Sequence, residues 1–119
     1  KALSEKQMAG KVVVTGQDAD LEACQRIVEG TQAMTVYKPI ERLAKVAAKC
    51  AVKLAKGEQI VGKDIGENSV KTTDDGKDVP YWGLPPIAVT KENMDSVIID
   101  LGFHLHDEVY LNVSEESRD

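Results

Sequence analysis

Two side chains in this sequence have the type and setting to hold a small polar ligand: Asp18, within Thr15-Gly16-Gln17-Asp18-Ala19-Asp20, and Lys38, within Val36-Tyr37-Lys38-Pro39. A carboxylate accepts several hydroxyl hydrogen bonds, and an ammonium donates up to three. Hydrogen bonds to charged groups contribute about 1.5–3 kcal/mol each, and they orient a polyhydroxylated molecule such as a sugar without transforming it. Each residue also has a plainer explanation. An acid ahead of a helix suits the positive end of the helix dipole, and an exposed lysine bends away into water. Lys38 fits its plain explanation less well, because a cation just before a proline-started helix faces the unfavourable end of that dipole. Tyr37 is the aromatic residue beside these positions, so further apolar faces for a sugar ring have to come from elsewhere.

The elements that would carry these two residues follow one another in regular order. Val12-Val13-Val14-Thr15-Gly16 reads as a strand buried on both faces. Leu21, Cys24, Ile27 and Val28 then mark a helix with Asp20 as its N-cap, Glu22 in the first turn and Gly30 at its close. Ala33-Met34-Thr35-Val36-Tyr37 is a second strand, and Pro39 is well placed as the first helical residue after it. Ile40, Leu43, Ala44, Ala47, Cys50, Ala51 and Leu54 form one apolar stripe of a long helix, ended by Lys56-Gly57, with Lys45, Lys49 and Lys53 on its solvated side. From Glu58 to Pro86 the periodicity fades; Thr72 to Pro80 is rich in turn residues, and Leu84-Pro85-Pro86 is extended. Ile87-Ala88-Val89 reads as a last strand, followed by a helix that Thr90 caps, that carries Met94, Val97, Ile98 and Leu101, and that Gly102 closes. Alternation of strand and helix implies an α/β fold, a parallel sheet flanked by helices. In such sheets ligands bind beyond the carboxyl ends of the strands, where Asp18 and Lys38 stand.

Composition narrows the classes. With 119 residues, 42% apolar and 29% charged, the chain suffices for one modest domain with a real core. A net charge of −5 argues against nucleic acid as partner. The chain opens inside a helical pattern, Ala2 to Met8 closed by Gly10, and reads as a piece of a larger α/β protein. Cys24 and Cys50 both fall at apolar helical positions and read as buried small hydrophobes. His104, His106, Asp107 and Glu108 are metal-capable groups without a matching ligand pattern, so no metal site and no cofactor is called for. Trp82, between Pro80 and Pro85, reads as a packing anchor. Tyr110-Leu111 is an apolar spot in a tail that ends polar and disordered.

Val14-Thr15-Gly16-Gln17-Asp18-Ala19-Asp20-Leu21 and Gly30 to Ile40 closely resemble the D-xylose-binding periplasmic proteins of bacterial ABC transporters. Lys77-Asp78-Val79-Pro80, Pro86-Ile87-Ala88-Val89 and Gly102-Phe103-His104 echo the same family, so the likeness runs from about Gly10 to His104. The resemblance implies a two-lobed fold that closes on a monosaccharide at a hinge of strand crossings. It makes Asp18 and Lys38 sugar contacts and puts Tyr37 and Pro39 at one hinge crossing, with Leu84 to Val89 as the return crossing. Residues 1–39 would belong to the C-terminal lobe, 40–86 would pack on the N-terminal lobe, and 87–119 would be the return segment, last helix and disordered tail.

The leading reading is therefore an extracytoplasmic protein, at the periplasm or cell surface and lipid-anchored through its N-terminal half if at all. It would bind D-xylose or a related monosaccharide by lobe closure and deliver it to a membrane permease. A second reading keeps the fold and makes it the sugar sensor of a membrane histidine kinase, signalling through the kinase ectodomain. An enzyme of the same fold is the third, and the sequence shows no nucleophile, base or phosphate-loop pattern to support it.

Overall fold

The computed structural model describes residues 1–61, 70–81 and 83–114. Trp82 and the tail end at 115–119 lie outside the described residues. The chain divides into two compact units, Lys1–Tyr37 with Pro86–Asp119, and Lys38–Pro85.

The first unit is built on a three-stranded sheet of order β1-β2-β5, with β1 at Thr15–Gln17, β2 at Met34–Tyr37 and β5 at Ile87–Val89. β1 and β2 are parallel, with Thr15 opposite Met34 and Gln17 opposite Val36. β5 runs antiparallel to β2, pairing Thr35 with Val89 and Tyr37 with Ile87. The sheet is thus mixed rather than wholly parallel. The reason is topological: the chain leaves at the carboxyl end of β2 and re-enters beside that same end, so the returning strand has to run the other way.

β1 is shorter than the apolar run suggests and is not buried on both faces. Val13 is 81% exposed, because the ladder to β2 begins only at Thr15 and, among the described residues, β1 is an edge strand. Gly16 within it is demanded by packing. A Cβ there would meet the Gln32 side-chain nitrogen at 2.7 Å, and that amide is held by Arg26 Nε (3.0 Å) and by its own bond to the Met34 carbonyl (3.0 Å).

α2 (Leu21–Val28) joins the parallel strands and buries Ala23, Cys24, Ile27 and Val28. Of these, Cys24, Ile27 and Val28 meet Val89, Met94, Ile98, Val109 and Tyr110 in one core. The segment after Thr90 is not a regular helix: a 3₁₀ turn (Lys91–Asn93) leads into a π-helical turn (Asp95–Ile99), with Thr90 N–H donating to Asn93 Oδ1 at 2.8 Å. The wider winding keeps Met94 and Ile98 fully buried and carries Leu101 out to 60% exposure. α4 (His106–Val109) then brings Val109 and Tyr110 into the core, so Tyr110 is not part of a loose tail. Gln25 Nε2 donates to the Glu108 carbonyl (2.9 Å) and Asn112 Nδ2 to Glu29 (2.7 Å), which ties this end of the chain to α2. At the other terminus α1 (Ala2–Glu5) ends well before Gly10. Gln7, at φ 54°, closes it with the bonds Met8 N–H to Leu3 O (2.8 Å) and Gln7 N–H to Ser4 O (3.0 Å).

The second unit contains α3 (Ile40–Ala55) and a hairpin of β3 (Val70–Thr72) and β4 (Asp78–Pro80). The turn-rich stretch is the hairpin's connection, with Gly76 at φ 79° and Thr73 N–H bonded to the Lys77 carbonyl at 2.8 Å. α3 has the expected length, yet none of its residues is buried: Ile40, Leu43 and Leu54 are 60%, 46% and 61% exposed. Cys50 is accordingly only half-buried, whereas Cys24 is fully enclosed, and neither is in a disulfide.

Candidate functional site

The carboxyl ends of the parallel strands are where the candidate residues lie. Asp18 is the first residue past β1. Its N–H continues the ladder to the Val36 carbonyl (2.8 Å), and its side chain is exposed. Asp18 and Ala19 both have positive φ, 83° and 55°. Asp tolerates this left-handed region; for alanine it costs about 1–2 kcal/mol, so the surroundings have to enforce it.

They do so from both sides of Ala19. Its N–H donates to Thr35 Oγ1 at 3.2 Å, from a side chain that is itself fully buried at the centre of the sheet. Its carbonyl accepts a bond from His104 Nε2 at 2.8 Å and a longer one from the Cys24 thiol at 3.5 Å. Asp20 follows as the N-cap of α2 without a side-chain capping bond. Burial, and secondarily the charge of Asp20, push the Cys24 thiol up to about 11, with Arg26 pulling the other way, so Cys24 is a neutral packing group and donor.

Tyr37, the last residue of β2, is buried and lies opposite Ile87. Its ring meets Phe103 with centroids 4.8 Å apart and planes tilted by 58°. Phe103 in turn contacts the ring of His104 at 4.5 Å. Phe103 and His104 are therefore the residues that reading the sequence left out of the site. Their signal was confined to the short echo Gly102-Phe103-His104, since Ala19 and His104 stand 85 positions apart. Lys38 directly follows Tyr37, is exposed, and begins the second unit; Asp18 belongs to the first. Pro39 is the N-cap of α3 rather than its first helical residue.

The metal-capable groups near the C-terminal end have other occupations. His104 bonds Ala19, while His106 stacks on Tyr110 (4.6 Å, 22°) and contacts Asp107 at 3.2 Å. Among the described residues no group of three His, Cys, Asp or Glu side chains is placed to hold a metal, and no helix is long and apolar enough to cross a membrane. A surface hollow of about 270 Å³ lies beside α1, lined among others by Leu3, Val14, Arg26 and Gln32, and none of the Asp18 loop lines it. At the end of β1 stands an exposed carboxylate on a fixed loop, with His104 bonded to the Ala19 carbonyl of that loop and Phe103 against the His104 ring. That is an arrangement able to hydrogen bond a polar ligand.

Residues 1–59 match the model of the periplasmic binding protein domain. The chain is 46% identical over 110 residues to the D-xylose-binding periplasmic protein of Haemophilus influenzae, covering 92% of this chain and 31% of that protein. It is 44% identical over 109 residues to the protein of the same description from Escherichia coli, again covering 92% and 31%. The chain thus spans about a third of the length of these relatives. Among solved structures, a carbohydrate transporter solute binding protein of Chloroflexus aurantiacus in complex with D-glucose superposes with a TM-score of 0.64. The two are 34% identical, over 81% of this chain and 26% of that one.

Proposed function

The chain belongs to the periplasmic binding protein family, and we propose that it supplies half of the sugar site of an extracytoplasmic D-xylose-binding protein. The observation that carries this reading is the fixed Asp18 loop at the carboxyl end of β1, beside the strand that runs into Lys38. In that role Asp18 accepts sugar hydroxyls and Lys38 donates to sugar oxygens, while the opposing lobe, outside this chain, adds the other contacts. Tyr37 and Pro39 serve as one hinge crossing and residues 84–89 as the return. The exposed apolar stripe of α3 supports placing residues 40–86 on the N-terminal lobe. Sugar bridging the lobes stabilises the closed state by its greater affinity for that state. The closed form then docks on the permease of an ABC transporter, which takes the monosaccharide onward.

The test is titration of D-xylose into full-length protein and into its Asp18→Ala and Lys38→Ala variants. Loss of a charge-assisted bond predicts affinity about tenfold or more weaker for each. Affinity within about threefold of the native protein for both would sink the assignment. Co-purification from membranes tests the partner: a permease is expected, and a sensor kinase ectodomain in its place would redirect the reading to signalling.

A further inference from the structure

We propose that His104 is a positioning residue for Asp18: by donating from Nε2 to the Ala19 carbonyl, it holds the left-handed loop that aims the carboxylate at the sugar. The inference rests on the reading of Asp18 as a sugar contact.

Two consecutive non-glycine residues at positive φ persist only where their surroundings over-determine them. On the upstream side that requirement is met by the sheet itself, through Asp18 N–H to Val36 and Ala19 N–H to Thr35 on the central strand. On the downstream side, the orientation of the peptide between Ala19 and Asp20 is set by what its carbonyl accepts. The thiol of Cys24 is a weak donor at 3.5 Å, whereas the imidazole approaches to 2.8 Å. A carbonyl has no proton to give, so Nε2 has to carry the hydrogen, and this fixes the tautomer of a neutral ring.

His104 is itself held on a rigid mount. Gly102, at φ 70°, reverses the chain after the π-helical turn through Phe103 N–H to the Ile98 carbonyl (3.0 Å) and Gly102 N–H to the Ile99 carbonyl (2.8 Å). The next residue, Phe103, sets its ring against both Tyr37 and His104. One short segment therefore touches the loop after β1 and the last residue of β2. A residue that merely satisfied a buried carbonyl would affect stability and leave affinity alone. A positioning residue affects affinity, and a replacement donor at the same place restores it.

The experiment is D-xylose titration of full-length protein in native form and as Asp18→Asn, His104→Leu and His104→Gln, each with its thermal midpoint recorded. Asp18→Asn and His104→Leu are expected to bind about tenfold or more weakly. His104→Gln, whose amide nitrogen can take the place of Nε2, is expected within about threefold of native. Unchanged affinity in Asp18→Asn would overturn the site reading and the inference with it. A weakened Asp18→Asn beside an unaffected His104→Leu would overturn the inference alone, as would a His104→Gln no better than His104→Leu. Should His104→Leu not fold, His104→Asn, too short to reach the Ala19 carbonyl, takes its place in the titration, and nitrogen-15 spectra of the native imidazole test the bond itself. A proton on Nε2 that is slow to exchange is expected, and an Nε2 that carries no proton would contradict the proposal.

Discussion

Tyr37 and Ile87 lie opposite each other in the antiparallel ladder between β2 and β5, and the chain leaves the first unit directly after Tyr37 and returns directly before Ile87. The exit and the return of the chain are thus joined by one sheet. From β5 the chain leads through Thr90 to the buried Met94 and Ile98 and on to the mount of His104.

Thr35 is the buried link between that sheet and the Asp18 loop. Thr35→Val keeps the shape and removes the acceptor of the Ala19 N–H. It is expected to cost about 1–3 kcal/mol for the stranded donor, read as a lower urea midpoint in full-length protein. A change below about 0.5 kcal/mol would show that the loop does not depend on this bond.

Much of the frame was legible in the sequence because it rests on local signals. The stripe Leu21, Cys24, Ile27, Val28 and the closing Gly30 mark α2, whose buried face keeps Cys24, Ile27 and Val28 and adds Ala23, while Leu21 is only partly buried. Asp18 was legible as a residue past a strand, but its positive φ and the three groups that fix Ala19 were not, since those contacts come from residues 5, 16 and 85 positions away. The direction of β5 was equally hidden: Ile87-Ala88-Val89 reads the same parallel or antiparallel, and only the common exit and return at Tyr37 and Ile87 decide it. The hairpin of β3 and β4 was masked because its strands are three residues each, although Asp75-Gly76 is a recognisable turn signal.

Gly102 adopts φ 70° with open space where a Cβ would stand, so backbone conformation is the whole of its constraint. Gly102→Ala is expected to destabilise full-length protein by about 1 kcal/mol. Because Phe103 and His104 follow directly, it should also weaken sugar binding, measurable by titration beside the urea curve. Unchanged stability would mean the turn relaxes without strain.

The apolar stripe of α3 offers a separate test of the two-lobed reading. Leu43→Asp or Leu54→Asp, at residues 46% and 61% exposed here, is expected to cost about 2–3 kcal/mol in full-length protein if that face docks on the other lobe. Denaturant unfolding measures it. Changes within about 0.5 kcal/mol would identify a solvated helix face instead.

Alkaline conditions should weaken the first unit, which holds Cys24 and Tyr110. Burial, followed by the Asp20 charge, raises the Cys24 thiol from its ordinary 9.0 to about 11. Burial, then the hydrogen bond to Asp95 (3.0 Å) and the charge of that residue, raises Tyr110 from 10.0 to about 12. Both groups stay protonated in the folded chain while the unfolded chain has begun to ionise, so the unfolded state binds fewer protons and stability falls as pH rises. The contribution is complete below 9.0 and is lost progressively toward about 12. Urea midpoints measured across that range should decline, and the decline should flatten in the Cys24→Ala, Tyr110→Phe double variant. An identical slope in that variant would assign the effect to other groups.

Sugar binding is tested most directly by isothermal titration of D-xylose into full-length protein, with D-glucose and D-ribose as controls. Saturable binding of xylose, stronger than that of either control and lost in the Asp18→Ala, Lys38→Ala double variant, is the predicted result. Absence of binding to all three sugars, or binding that survives the double variant unchanged, would contradict the account.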